Sequence, residues 1–140
     1  MIKKLSFQFF KYAVIGLAGT FIYTAVFSLL NETVLMADGS LEATERSLNY
    51  FLSNSVAFLC SSIFVYLFNR NWVFIADKHS RLKEIALFYL VAFVAYIIGT
   101  PAGAYLIAKY GWNEYYALGI TIIASVLINF IGRKMFVFHS

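Results

Sequence analysis

The chain has 140 residues, of which 61% are hydrophobic and only 13% charged, with a net charge of +4 and a mean hydropathy of +0.76. Soluble domains carry about 25% charged residues, and a water-soluble fold of this length cannot hide so much apolar surface. A soluble domain is therefore excluded, and the basic excess reads as membrane topology and attraction to anionic lipid, with no nucleic-acid partner.

The charges cluster and leave four gaps, 12–31, 47–69, 85–108 and 115–132, of 20, 23, 24 and 18 residues. A helix crossing a hydrocarbon core of about 30 Å needs roughly 20 residues, and a backbone in lipid must satisfy its own hydrogen bonds. The expected fold is an all-α integral membrane protein, one membrane domain over 1–140, with transmembrane helices at approximately 9–31, 48–70, 84–108 and 115–134.

Lys3, Lys4 and Lys11 precede the first predicted helix, whose apolar run is too long for a cleaved signal peptide and lacks a small-residue cleavage site. Gly16, Thr20, Tyr23 and Thr24 share one arc of it. The connection that follows is acidic, with Glu32, Asp38, Glu42 and Glu45. At about 100° per residue, Asn54, Ser55, Ser61, Ser62 and Asn69 fall on one face of the second helix, within an arc of roughly 120°. Cys60 stands alone at mid-span, a small apolar residue with no partner for a disulfide.

The second helix closes on Asn69-Arg70-Asn71-Trp72-Val73-Phe74, and a basic loop with Lys78, Arg81 and Lys83 leads to the third. There Gly99, Pro101 and Gly103 interrupt the apolar run, which predicts a kink or hinge, since proline removes a backbone hydrogen bond. The glycines also match G-x-x-x-G, a packing face. In the fourth helix Thr121, Ser125, Asn129 and Gly132 form one stripe, and the chain closes on Arg133-Lys134-Met135-Phe136-Val137-Phe138.

The bases 3, 4, 11, 70, 78, 81, 83, 133 and 134 fall on one side of this layout and only Arg46 and Lys109 on the other. By the positive-inside rule both termini are cytoplasmic. The endings of the second and fourth helices align at an offset of 64, base on base, ring on ring, Val-Phe on Val-Phe. Phe10–Val14 loosely resembles Leu87–Val91 at the heads of the first and third. Two hairpins related as a parallel repeat explain both likenesses. The polar stripes fit either a hydrophilic groove or hydroxyl and small-residue glue between helices.

No Asp, Glu, Lys, Arg or His lies within the four gaps, so no embedded carboxylate is present to carry a proton, as the small multidrug exporters require. His79 and His139 form no metal cluster, and the hydroxyls have no base partner. The chain is expected not to be an enzyme and to need neither metal nor cofactor.

Phe10-Lys11-Tyr12-Ala13-Val14-Ile15-Gly16, the Asn69–Phe74 ending and Asn129 through Phe138 resemble the GtrA-like family of small four-helix membrane proteins. The resemblance implies a flippase of the bacterial plasma membrane. Its cargo would be a polyprenyl-phosphate-linked monosaccharide, moved to the outer leaflet where membrane glycosyltransferases decorate an envelope polysaccharide. Many members carry a base within the third helix, whereas Phe88-Tyr89-Leu90-Val91-Ala92 has none here, so the phosphate must be met at the helix ends. Lys11, Arg70, Arg133 and Lys134 are the expected phosphate ligands. Asn54, Asn69, Trp72, Ser125 and Asn129 are the expected sugar-binding or groove residues. Four helices hardly enclose such a path, which predicts a homo-oligomer among membrane lipids. The alternative is a non-transporting subunit that recruits or organises a glycosyltransferase, with 76–84 as its docking loop.

Overall fold

The computed structural model describes residues 1–35 and 41–138; Asp38 and His139 lie outside the described residues, as do the side chains of 46, 47, 100, 103, 104, 114, 115, 117 and 118. Among the described residues the chain is helical, without a strand: α1 (Ile2–Thr33), α2 (Ala43–Phe68), a five-residue π-turn, π1 (Asn69–Val73), α3 (Arg81–Tyr110), α4 (Glu114–Gly132) and a second π-turn, π2 (Arg133–Val137). Four helices are long and apolar enough to cross a membrane, and only 11, 28, 28 and 22% of their apolar windows is buried within the chain. Side chains such as Leu17, Phe21, Ile63, Phe93 and Ile123 face outward, as expected where the solvent is lipid. This is a multi-pass membrane protein.

The first helix starts at Ile2, so Lys3, Lys4 and Lys11 lie in α1 and not ahead of it. Lysine and glutamine are good helix formers, and 32 residues rise about 48 Å, well beyond a core of about 30 Å. The basic turns can then reach the headgroups without ending the helix. The shorter α4, of 19 residues, rises about 28 Å. Gly111 closes α3 in the left-handed conformation (φ 62°), its N–H donating to Ile107 O at 3.0 Å, a conformation glycine adopts without steric penalty. Through Pro101 the helix assignment is continuous.

The chain divides into two compact units, Met1–Val73 and Phe74–Ser140. Each is a helical hairpin ending in a π-turn. In unit 1, α1 buries Gln8, Tyr12, Ile15 and Gly19, a 4-3-4 spacing that draws one face of a helix. A Cβ on Gly19 would run into Val65 of α2, so the missing side chain is what lets the helices close. In unit 2, α3 buries Glu84, Phe88, Val91 and Ala95 on the same 4-3-4 spacing. Here the glycine sits on the opposite helix: a Cβ on Gly132 would lie 2.7 Å from Val91 Cγ1.

The two buried faces register at an offset of 76, pairing Gln8 with Glu84, Tyr12 with Phe88, Ile15 with Val91 and Gly19 with Ala95. The likeness of Phe10–Val14 to Leu87–Val91 is out of register by one residue, a rotation of about 100°. The closing segments register at 64: Tyr66 with Phe130, Val73 with Val137 and Phe74 with Phe138 are all buried, and the π-turns span equivalent residues.

Candidate functional site

A π-turn admits one extra residue per turn; such turns are rare and frequently found at functional sites. In both units it shows the interior its first and last residues, Asn69 and Val73 or Arg133 and Val137, and turns a ring outward between them, Trp72 or Phe136. Helix ends leave carbonyls without intrahelical donors, and side chains supply them here. In unit 1, Gln8 Nε2 donates to Val73 O at 3.1 Å and Lys11 Nζ to Trp72 O at 3.4 Å. The Lys11 ammonium also lies 4.9 Å from the Phe7 ring centroid and 5.2 Å from that of Trp72, within cation–π range. In unit 2, Lys78 Nζ donates to Met135 O and His79 Nε2 to Phe136 O at 2.8 Å. Since a carbonyl only accepts, that His79 nitrogen carries the proton.

Asn69 is completely buried, and neither its amide oxygen nor its nitrogen has a hydrogen-bond partner among the described residues. Leaving a buried polar group unmet costs about 1–3 kcal/mol, so this amide is a stored demand for a ligand or water. Arg70 follows it, half-buried. Beside them Leu67, Phe68, Asn71 and Trp72 line an open recess of about 580 Å³. Lys11 and Trp72 thus meet at one end of unit 1, at the turn that also carries Asn69 and Arg70.

The equivalent of Asn69 in unit 2 is Arg133. It is buried, with its guanidinium carbon 4.0 Å from the Phe88 ring centroid. Glu84, also buried, precedes Phe88 by one turn on the same face. Lys134 is half-buried in π2. Phe74 stacks on Phe138 at 5.2 Å and contacts Phe130 at 6.0 Å, closing the interior behind the turn.

The remaining predicted site residues lie along the helices. Tyr23 Oη donates to Asn54 Oδ1, joining α1 to α2, about 22 Å along the helix from Asn69 at 1.5 Å per residue. Asn54 therefore does not join the Lys11 cluster. Thr20 returns its hydroxyl to Gly16 O at 3.1 Å, Ser55 to Phe51 O at 2.8 Å and Ser61 to Phe58 O at 3.2 Å. Much of the predicted stripe is thus turned back on its own helices. Asn129 Nδ2 donates to Ser125 O at 2.9 Å, while its Oδ1 is buried without a partner among the described residues. Ser125 lines a 230 Å³ cleft between α3 and α4 with Thr121 and Gly99. A Cβ on Gly99 would stand 3.3 Å from Thr121 O, which makes this glycine a close-approach point. Pro101 is exposed, and the surroundings of Gly103 lie outside the described residues.

Gln8, Glu84, Lys78, His79 and Phe88 were absent from the predicted set. Gln8 and Glu84 carried a usable signal, a polar residue heading an otherwise apolar 4-3-4 face. Glu84 was instead read as the boundary of an apolar gap.

Comparison with known proteins gives one family: the model described as GtrA/DPMS, transmembrane domain, matches residues 11–138. The chain is similar to the cell wall teichoic acid glycosylation protein GtcA of Listeria innocua serovar 6a, 26% identical over 93 residues, and to GtcA of Listeria monocytogenes, 28% identical over 95. Each match covers 64% of this chain and spans 64% of the length of the Listeria protein. It is also similar to the uncharacterized membrane protein YwcD of Bacillus subtilis strain 168, 25% identical over 130 residues, covering 91% of this chain and 93% of YwcD. No solved structure matches the chain.

Proposed function

The chain belongs to the GtrA/DPMS transmembrane-domain family, and from that premise we propose that it serves cell-envelope glycosylation by moving a polyprenyl-phosphate-linked monosaccharide from the cytoplasmic to the outer leaflet. The printed role of the Listeria relatives in teichoic acid glycosylation supports the pathway. The observation that supports the transport step is the contact of Lys11 with Trp72 at the turn that carries Asn69 and Arg70, with the Asn69 amide buried and unmet among the described residues. A glycosyl phosphodiester needs a cation for its charge and amide donors and acceptors for its hydroxyls.

Both termini are cytoplasmic in this reading, on the bias of basic residues, and the two units are a parallel repeat. The helix surfaces left apolar and outward suit a homo-oligomer in which copies shelter the headgroup. The chain catalyses no reaction, and net direction comes from consumption of the lipid outside by a membrane glycosyltransferase. Purified protein in sealed vesicles should speed exchange of a lipid-linked sugar between leaflets. A rate equal to that of protein-free vesicles would overturn the transport step.

A specific observation favours the second reading, a subunit that organises a glycosyltransferase. Thr20, Ser55 and Ser61 return their hydroxyls to their own helices and Asn54 bonds Tyr23, so these four groups do not line a groove. Replacement of Asn69 by Leu separates the two. Loss of glycan decoration with the enzyme complex intact supports transport, and loss of the complex supports the scaffold.

A further inference from the structure

The two π-turn ends share a backbone and differ in where they keep their charge. Unit 1 has amides in the interior, Gln8 and Asn69, and a cation at the lip, Lys11. Unit 2 has charges in the interior, Glu84 and Arg133, and at the position equivalent to Lys11 it has Leu87. Arg133 is turned inward over Phe88, one turn from the Glu84 position, where i and i+4 Cβ atoms stand about 6 Å apart. The Phe136 carbonyl, the counterpart of the one Lys11 reaches, is taken by His79.

Lys11 is half-buried, and among the described residues its ammonium has one hydrogen bond, to Trp72 O. An ammonium carries three protons, so two remain for an incoming acceptor. Trp72 is shared: its ring is one wall of the ammonium's aromatic surround, and it also lines the 580 Å³ recess with Leu67, Phe68 and Asn71. Ligand pockets run from about 300 to 1,000 Å³. A cation adjoining an open, largely apolar recess suits an amphiphile whose anionic head continues directly into an apolar chain.

Building on the transport reading, we infer that the Lys11–Trp72 corner of unit 1 is the seat of the lipid carrier. The phosphate lies on the Lys11 ammonium and the first isoprene units lie in the recess against Leu67, Phe68 and Trp72. At the equivalent place unit 2 has Leu87 in place of the cation. Trp72 is then a wall for the isoprenoid and not a platform for the sugar, and Arg133 is an interior cation and not a phosphate ligand.

The test uses the intrinsic fluorescence of Trp72 in the full chain in nanodiscs, with the exposed Trp112 replaced by Phe. Geranylgeranyl phosphate, which carries no sugar, should give a saturable change. Lys11→Met should weaken it about tenfold or more, the loss of one charge-assisted hydrogen bond. Lys11→Arg should retain it, and Lys3→Met, which removes an equal charge elsewhere on α1, should leave it unchanged. Circular dichroism of each variant checks that the helices are intact. Two results would overturn the seat while sparing the transport reading: Lys134→Met abolishing the change with Lys11→Met silent, or phosphatidylglycerol or inorganic phosphate alone reproducing it. Failure of the parent protein to bind any polyprenyl phosphate would instead remove the transport reading itself.

Discussion

Unit 1 and unit 2 solve one packing problem with opposite inventories. Each lays a 4-3-4 face of its first helix against the second helix and ends in a π-turn whose closing valine, Val73 or Val137, is turned inward. At the two polar positions of that interior, unit 1 has Gln8 and Asn69, and unit 2 has Glu84 and Arg133. An amide is tolerated in a dry interior at modest cost and keeps both donor and acceptor capacity. A charge there demands compensation and, once compensated, is spent on the fold. On the transport reading the two units divide the labour, one end recognising the lipid and the other holding the fold.

The hardest blow to that division is Glu84→Gln, which removes one of the two buried charges of unit 2. If the two charges compensate one another, removing one costs about 3–5 kcal/mol, and the thermal unfolding midpoint in detergent should fall sharply. The double variant Glu84→Gln with Arg133→Asn, which rewrites unit 2 in the chemistry of unit 1, should recover most of the loss. If the single and double variants unfold alike, the two charges are independent and the contrast between units is void.

Next in size is Asn69→Leu. An amide whose oxygen and nitrogen are both unmet is replaced by an apolar group of similar size, so the protein should gain about 1–3 kcal/mol while a bacterium dependent on this copy loses its envelope sugar. The same melting assay and lectin staining read the two effects. Gain without loss of decoration would make Asn69 a structural residue only.

The glycine contacts give a smaller effect. Gly19→Ala forces Val65 to shift and should cost about 1–3 kcal/mol by overpacking. Gly16→Ala, with nothing within 4 Å of the added carbon, should be neutral or gain up to about 1 kcal/mol of helix propensity. Equal melting of the two variants would show that α1 and α2 do not close on Gly19. Smallest of all is Tyr23→Phe, which removes the bond to Asn54; side-chain hydrogen bonds between membrane helices average about 0.6 kcal/mol. Its glycan decoration should match the parent, and a large loss would return Asn54 to the binding site.

The four spans were legible because charge is expelled from hydrocarbon, so its gaps in the sequence mark the helices directly. The register of the endings was legible because Val-Phe recurs as identical residues. The register of α1 on α3 was not, because Tyr12 and Phe88, or Gly19 and Ala95, agree in size and burial but not in identity. Sequence likeness settled one residue away, on Tyr12 and Tyr89. The π-turns left no trace, since one extra residue per turn changes neither composition nor hydropathy. Arg133 is expected as a phosphate ligand because an arginine beside a lysine after an apolar run falls at the level of the headgroups. Only the Phe88 ring against its guanidinium shows that it turned inward. Asn54 and Tyr23 were each placed on a polar arc, but a one-dimensional pattern says nothing of which groups meet.

The unequal lengths of the helices bear on the bilayer itself. At about 48 Å, α1 can cross a thick or a thin membrane simply by changing its tilt, whereas α4, at about 28 Å before the chain continues into π2, has less length to spare against a hydrocarbon core of about 30 Å. Thicker lipids therefore strain α4 first and leave α1 untroubled. Acyl-chain length therefore bears first on α4 and on the turn that follows it, π2.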